Sequence, residues 1–205
     1  ADLGTEGVTI RAFPGGTYID AFVGQGILSA DQIDSTYDGT PAVFVSEDGK
    51  IAQQGFASAE PYIYENEVAQ WGKPVSYQLI NDAGYPKYAA VLSVIPENID
   101  TYSECLTALV PVLQQATVDF FADPQPTIDL ILELVDAYDT GWVYSQGVAE
   151  FSVDTMLSDG IAGNDADGAM GTVDATRMTD LFDLVTPIYT EQGLPVKDGV
   201  SVDDI

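Results

Sequence analysis

The sequence contains no histidine and a single cysteine, Cys105, among its 205 residues. Without histidine the chain lacks the most common general base and transition-metal ligand, so Ser–His and Cys–His catalytic pairs are excluded. One cysteine can form neither an internal disulfide nor a zinc or iron–sulfur site. We expect Cys105 to fill space in a helix core rather than to act as a reactive thiol.

Basic residues are also scarce. Lys and Arg total 6 against 33 Asp and Glu, which gives a formal net charge of −27. A surface of this charge repels phosphate backbones and anionic lipid, so neither nucleic-acid binding nor peripheral membrane binding is expected. No secretion signal opens the sequence, and no apolar run approaches the ~20 residues that a membrane-spanning helix needs.

Apolar residues are plentiful, at 46% of the chain, which is enough for one large domain or two small ones. Strands are predicted at 8–13, 51–58, 75–80 and 88–95, the last as an apolar run buried on both faces. Helices follow the first strands and then occupy 106–120, where Pro111 should introduce a kink or break, and 126–138, 146–157 and 175–192. Alternating strands and helices with a helical tail predict an α/β architecture and a mainly parallel sheet.

The turn after the first strand is the first candidate binding element. Gly15 and Gly16 would let a ligand approach the backbone closely, and Thr17 and Tyr18 would begin the next helix with free amides and hydroxyls. The Lys and second spaced Gly of a phosphate-binding P-loop are missing. A plain strand-to-helix turn explains the same residues.

Two further polar loops follow predicted strands, where ligands of open α/β sheets lie. Ser58 and Glu60 come after the second strand, and Glu60 would either cap the helix that it begins or accept a hydrogen bond from a ligand. Asp82 and Tyr85 come after the third, where Tyr85 could stack on a flat ligand. An ordinary connection is the alternative for both loops.

Residues 163–168, GNDADG, are similar to a calcium-binding loop, with Asp165 and Asp167 at ligand positions. Glycine occupies the first ligand position, however, and Asp174 replaces the bidentate glutamate. We therefore favour a turn there, followed by a helix that Asp174 caps.

Residues 53–80, QQGFASAEPYIYENEVAQWGKPVSYQLI, resemble the lobe-crossing segment of the NMT1/THI5-like (SsuA-like) substrate-binding proteins of ABC transporters. The Glu60-Pro61 pair matches the family's Glu-Pro at that point. Residues 37–42, 141–145 and 168–174 are similar to other turns of the family, in the same order. The resemblance extends over nearly the whole chain.

The resemblance implies a type II periplasmic-binding-protein-like fold of two α/β lobes with a helical C-terminal tail. Residues 1–80 would form lobe II with the crossing segment, and residues 81–205 would return to lobe I. The family carries the first half of lobe I before the strand at Val8. Lobe I is therefore expected to be incomplete, and the chain to self-associate through the surfaces left exposed.

The resemblance also implies a function. The chain would be an extracytoplasmic solute-binding protein, periplasmic or lipoprotein-anchored, that delivers a small polar or heteroaromatic molecule to an ABC transporter permease, with no cofactor, no metal and no catalytic activity. The alternatives are an enzyme of the pyrimidine-synthesising branch of the same superfamily and a ligand-sensing module of a larger regulator. Carried onto this sequence, the family's ligand contacts fall on Gly15, Gly16, Thr17, Tyr18, Ser58, Glu60, Asp82 and Tyr85.

Overall fold

The computed structural model describes residues 2–5, 7–163, 169–196, 198–199 and 201–202. The chain divides into two compact units: unit 1 comprises Ala1–Lys87 and Asp174–Ile205, and unit 2 comprises Tyr88–Val173. The predicted division at residue 80 differs from this in grouping the C-terminal helix with residues 81–173. Residues 164–168 of the suggested calcium loop at 163–168 lie outside the described residues.

Unit 1 is built on a small sheet of three strands, β1 (Ile10–Arg11), β2 (Ile33–Asp34) and β3 (Ala52–Gln53). All pairings are parallel and the strand order is β2-β1-β3, with β1 in the centre. The predicted α/β class and parallel sheet are therefore confirmed. Each strand is only two residues long, much shorter than the apolar stretches had suggested.

The described helices account for about half of the chain. Unit 1 contains a 3-10 helix at Ala30–Gln32. The α-helices of the described residues, in chain order, are α1 (Asp2–Thr5), α2 (Thr17–Gly24), α3 (Ala42–Ser46), α4 (Glu60–Asn66), α5 (Pro96–Thr101), α6 (Ser103–Ala122), α7 (Gln125–Tyr138), α8 (Gln146–Ser158) and α9 (Ala175–Glu191). Helices α5 to α8 belong to unit 2, and the others to unit 1.

The core of unit 1 joins the two ends of the chain, because α2 packs against α9. Ala21, Phe22 and Tyr85 are buried there against Leu181 and Leu184 of α9. The predicted cap of α9 is confirmed, since Asp174 Oδ1 accepts a hydrogen bond from the Arg177 backbone N–H at 2.6 Å. Arg177 in turn donates from Nε to the carbonyl of Pro86 at 2.7 Å, which fastens the start of α9 to the end of the 81–87 loop.

Two predicted strands are absent, since the described residues 75–80 and 88–95 form no strand. The expectation that residues 88–95 are buried on both faces was wrong: Leu92 is 60% and Ile95 is 61% exposed. An apolar run can form a buried strand only when neighbouring strands pair with its backbone groups. The sheet of unit 1 ends at β2 and β3, and no strand of the described residues lies beside either segment.

Unit 2 consists of helices around a small core. Ile128 of α7 is buried with Ala149 and Val153 of α8. No described residue of α6 is buried, so Cys105 is exposed and the expectation that it fills a core was wrong. Pro111 lies inside α6 without dividing it into two helices.

Helix α6 also differs from the expectation that nothing in the chain has the length and apolarity of a membrane span. Its 20 residues have a mean hydropathy of 1.3 over the best window, enough to cross a membrane by length and composition alone. Core helices of soluble proteins and signal sequences meet the same criterion. Helix α6 differs from a core helix in that none of that window is buried.

Because α2 packs closely on α9, replacing Gly24 by alanine should destabilise the protein. Replacing a helical glycine by alanine normally stabilises a helix by about 1 kcal/mol. Here the added Cβ would collide with Cγ2 of Ile188. We expect Gly24→Ala to lower the free energy of unfolding by about 1–3 kcal/mol, as overpacked cores do.

Urea unfolding of the full chain measures this change. Gly163→Ala is the control, because a Cβ at Gly163 meets no atom of the described residues within 4 Å. Ile188→Ala in the Gly24→Ala background should recover part of the loss by removing the colliding branch. Equal stability of Gly24→Ala and the unmodified chain would contradict the close packing of α2 on α9.

Candidate functional site

The carboxyl ends of the three strands meet at one edge of the sheet in unit 1. Arg11 is in register with Asp34 on one side and with Gln53 on the other, so the three side chains form a row across the sheet. The segments that follow the strands begin at the same edge. In open parallel sheets, ligands bind beyond these strand ends.

Arg11 anchors this edge. Its side chain is 6% exposed, and Nε donates to Asp34 Oδ2 at 3.1 Å. Nη2 donates to the carbonyl of Thr36 at 2.9 Å, which holds the segment after β2 against β1. Hydrogen bonds from Thr36, and then the Arg11 guanidinium, hold the pKa of Asp34 below its usual value, so this carboxylate stays charged at neutral pH.

The other end of the row is aromatic. Nε2 of Gln53 donates to the hydroxyl of Tyr64 at 2.8 Å and to that of Tyr37 at 3.2 Å. Burial, and then the nearby Glu60 carboxylate, raises the pKa of Tyr37 to about 12. Both phenols are therefore neutral hydrogen-bonding groups at physiological pH.

Two polar atoms of the row have no hydrogen-bond partner within the described part of the chain. These are Nη1 of Arg11, a donor, and Oε1 of Gln53, an acceptor, and both are buried. The ring of Tyr37 lies beside the guanidinium, 5.8 Å from Arg11 Cζ to the ring centroid, and Phe13 packs on Tyr37 at 4.7 Å between centroids. Tyr37 thus lies next to both ends of this polar pair, beside the Arg11 guanidinium and within hydrogen-bond distance of Gln53.

The glycine turn after β1 has the geometry that its sequence predicts. Gly15 has a φ of +80°, a conformation that favours glycine, and Gly16 is extended just before α2 begins at Thr17. Gln54 ties this turn to the end of β3, because its Oε1 accepts from the backbone N–H of Phe13 at 3.0 Å and from the hydroxyl of Tyr18 at 2.8 Å. Burial raises the pKa of Tyr18 to about 12.

A cavity of about 410 Å³ lies beside the glycine turn. This volume is within the range of small-molecule sites. Its polar side chains are Asp20, Ser35 and Gln192, and the remaining wall is apolar side chain or glycine backbone. The lining residues are Phe13, Gly15, Gly16, Ile19, Asp20, Val23, Ala30, Ile33, Ser35 and Gln192.

Two of the eight predicted site residues, Gly15 and Gly16, line this cavity. Thr17 and Tyr18 follow them in the chain but form hydrogen bonds to Tyr85 and Gln54. Thr17 Oγ1 accepts a hydrogen bond from the hydroxyl of Tyr85 at 2.9 Å. Tyr85 is 4% exposed and its ring packs on Phe22 at 6.3 Å, so it contributes to the core of unit 1 and its ring is not open to a flat ligand.

The remaining predicted residues lie outside the cavity wall. Glu60 Oε2 accepts from the backbone N–H of Phe56 at 2.6 Å and so closes the turn before α4. Ser58, in that same turn, is half-buried. Asp82 is exposed and accepts from Asn81 Nδ2 at 3.2 Å.

Sequence reasoning missed the residues that organise this edge, above all Arg11, Gln53 and Gln54. The signal was a charged or amide side chain inside a predicted strand, as Arg11 is within 8–13 and Gln53 and Gln54 are within 51–58. A polar residue at such a position needs a partner across the sheet.

No protein-family model, curated protein or solved structure matches this chain. The resemblance to SsuA-like proteins therefore stays a prediction based on residue patterns alone. The described residues contain no group of three or more His, Cys, Asp or Glu side chains placed to hold a metal ion.

The buried tyrosines of this edge predict a late step in an alkaline titration. The native state binds the phenolic protons of Tyr18 and Tyr37 more tightly than the unfolded chain does, because their pKa values are raised from 10.0 to about 12. The stability that depends on them is fully present below pH ~10 and is lost as the pH rises towards about 12. Phenolate absorbance should therefore show a delayed fraction that coincides with unfolding.

Tyr18→Phe should shrink the delayed fraction. Tyr138→Phe is the matched control, because Tyr138 is 74% exposed and its loss should leave the delayed step intact. A single early titration step for the native chain would contradict the burial of Tyr18 and Tyr37.

Proposed function

We propose that this chain is a solute-binding protein whose unit 1 binds a small polar or heteroaromatic molecule at the carboxyl edge of its parallel sheet. The observation that carries the proposal is the cavity of about 410 Å³ that Gly15 and Gly16 line beside the strand ends. Backbone that is open to close approach, next to a concave surface with few polar groups, is what a small-ligand site requires.

The lining favours a neutral or cationic ligand over an anion. The polar residues of the lining are Asp20, Ser35 and Gln192, and its aromatic residue is Phe13. None of the ten lining residues is basic. The net charge of −27 would also repel an approaching anion over a long range at low salt. A flat molecule with hydrogen-bond donors on its rim fits this combination.

The side chains at this sheet edge suit ligand binding better than acid–base catalysis. The pKa shifts resolved in its side chains move the groups away from neutral pH, downward for Asp34 and upward for Tyr18 and Tyr37. General acid–base catalysis needs groups that titrate close to the working pH. The absence of histidine from the sequence points the same way.

The finer proposal is an extracytoplasmic protein of the SsuA-like kind, with a type II periplasmic-binding-protein-like fold, that hands its ligand to an ABC importer. Its support is the order of the sequence motifs, together with the parallel strands that lead into a glycine turn and helix in unit 1. Self-association through exposed apolar side chains of unit 2, such as Leu92 and Val112, is part of the same proposal.

Ligand binding is tested by a thermal-shift screen of neutral and cationic heteroaromatic compounds on the full chain, followed by calorimetry. Ser35→Trp fills the cavity mouth from an exposed position, and we expect it to weaken binding of any hit at least about tenfold. Gln25→Trp is the matched control, since Gln25 is exposed at the end of α2 and does not line the cavity. Hits that bind both variants equally, or turnover of any hit, would contradict the proposal.

Replacing Glu60 should change the free energy of unfolding without changing ligand affinity. Its carboxylate accepts a backbone hydrogen bond within its own turn, and a bond to a charged group contributes about 1.5–3 kcal/mol. Glu60→Ala should therefore lower the free energy of unfolding by about that amount and leave ligand affinity unchanged. Glu60→Gln, which keeps an acceptor oxygen, should lose less. A fall in affinity with unchanged stability would place Glu60 in the ligand site instead.

A further inference from the structure

Unit 2 has no cation of its own. Residues 88–173 contain fourteen Asp and Glu and no Lys, Arg or His, so no side-chain ion pair can form within this unit. All six basic residues of the chain lie in unit 1. The ion pair between Arg11 and Asp34 has therefore no counterpart inside unit 2.

The acids of unit 2 also lie at unfavourable places on its helices. The three long helices α6, α7 and α8 each end on an aspartate, with Asp123, Asp139 and Asp159 at the C-cap positions. The C-terminal end of a helix carries a partial negative charge, so a carboxylate there is repelled, and the repulsion is screened by salt. A basic residue in the last turn would offset it, and none of these helices has one.

Little apolar burial opposes this repulsion. Among the described residues of unit 2, those that are buried are Ile128, Val148, Ala149, Val153 and Thr155. Helix α6 contributes no buried residue among those described, although it is the longest helix of the unit. A domain with so small a core has a narrow margin of stability.

We propose that unit 2 folds stably only at high ionic strength, so that salt concentration decides whether this half of the chain is ordered. Raising salt from 0.1 M to 1 M shortens the screening length from about 10 Å to about 3 Å, which removes most repulsion among exposed carboxylates and helix ends. Unit 1 is less sensitive, because its acids are partly offset by its six bases. This inference is independent of the proposed ligand site, which lies wholly in unit 1.

Hydrogen exchange read by mass spectrometry on the full chain tests the proposal, since it reports each unit separately. Between about 0.1 M and about 1 M KCl, amide protection in α7 and α8 should rise at least about tenfold. Protection in α2 and α9 of unit 1 should rise much less. Equal changes in both units, or no change in unit 2, would overturn the proposal.

A charge variant separates screening from the general strengthening of apolar burial by salt. Asp123→Asn, Asp139→Asn and Asp159→Asn together remove the C-cap charges and keep the side-chain shapes. This variant should be more protected than the unmodified chain at low salt and should show a flatter salt dependence. The same salt dependence as the unmodified chain would count against the proposal.

The matched control is Glu97→Gln with Glu104→Gln. These acids lie in the first turns of α5 and α6, where a negative charge is favourable. Their removal should bring no gain in protection at low salt. If the triple variant does not fold, sucrose replaces it as the probe on the unmodified chain, because sucrose strengthens burial without screening charge. Protection by sucrose equal to that by KCl would overturn the proposal.

Discussion

The buried guanidinium of Arg11 is the interaction on which the candidate site of unit 1 depends. Arg11 lies on the central strand with its side chain 6% exposed, and its guanidinium donates to Asp34 and to the carbonyl of Thr36. Strands of two residues supply few ladder hydrogen bonds, so side chains must fix the segments that follow them. Removing Asp34 would leave the buried Arg11 guanidinium without its carboxylate partner, which costs more than the pair itself contributes.

The side-chain amides of Gln53 and Gln54 fix the rest of the sheet edge by hydrogen bonds. Successive residues of an extended strand point to opposite faces. Gln53 accordingly bonds the tyrosines on one side, and Gln54 bonds Phe13 and Tyr18 on the other. The glycine turn and the cavity wall are thus held by the end of β3, an element that is distant from them in sequence. The small sheet thus positions the glycine turn through side-chain hydrogen bonds.

The two units differ in whether cations are present to offset their carboxylates. In unit 1 three cations make specific contacts: Arg11 pairs with Asp34, Arg177 donates to backbone carbonyls, and Lys73 lies 4.1 Å from the centroid of the Trp71 ring. Unit 2 has no such groups, and all of its charged side chains are carboxylates. Salt concentration should therefore affect the stability of unit 2 more strongly than that of unit 1.

The sequence by itself determined the α/β class, the helix after the glycine turn and the Asp174 cap, because local propensity and backbone chemistry decide these features. It also marked Gly15 and Gly16, which line the cavity. Only the tertiary structure decided that residues 75–80 and 88–95 are not strands and that Tyr85 lies in the core. It also decided that Arg11, Gln53 and Gln54 organise the edge. The physical reason is the same in each case: strand pairing and the burial of a polar or aromatic group depend on partners that are remote in sequence, and periodicity within a segment carries no information about them.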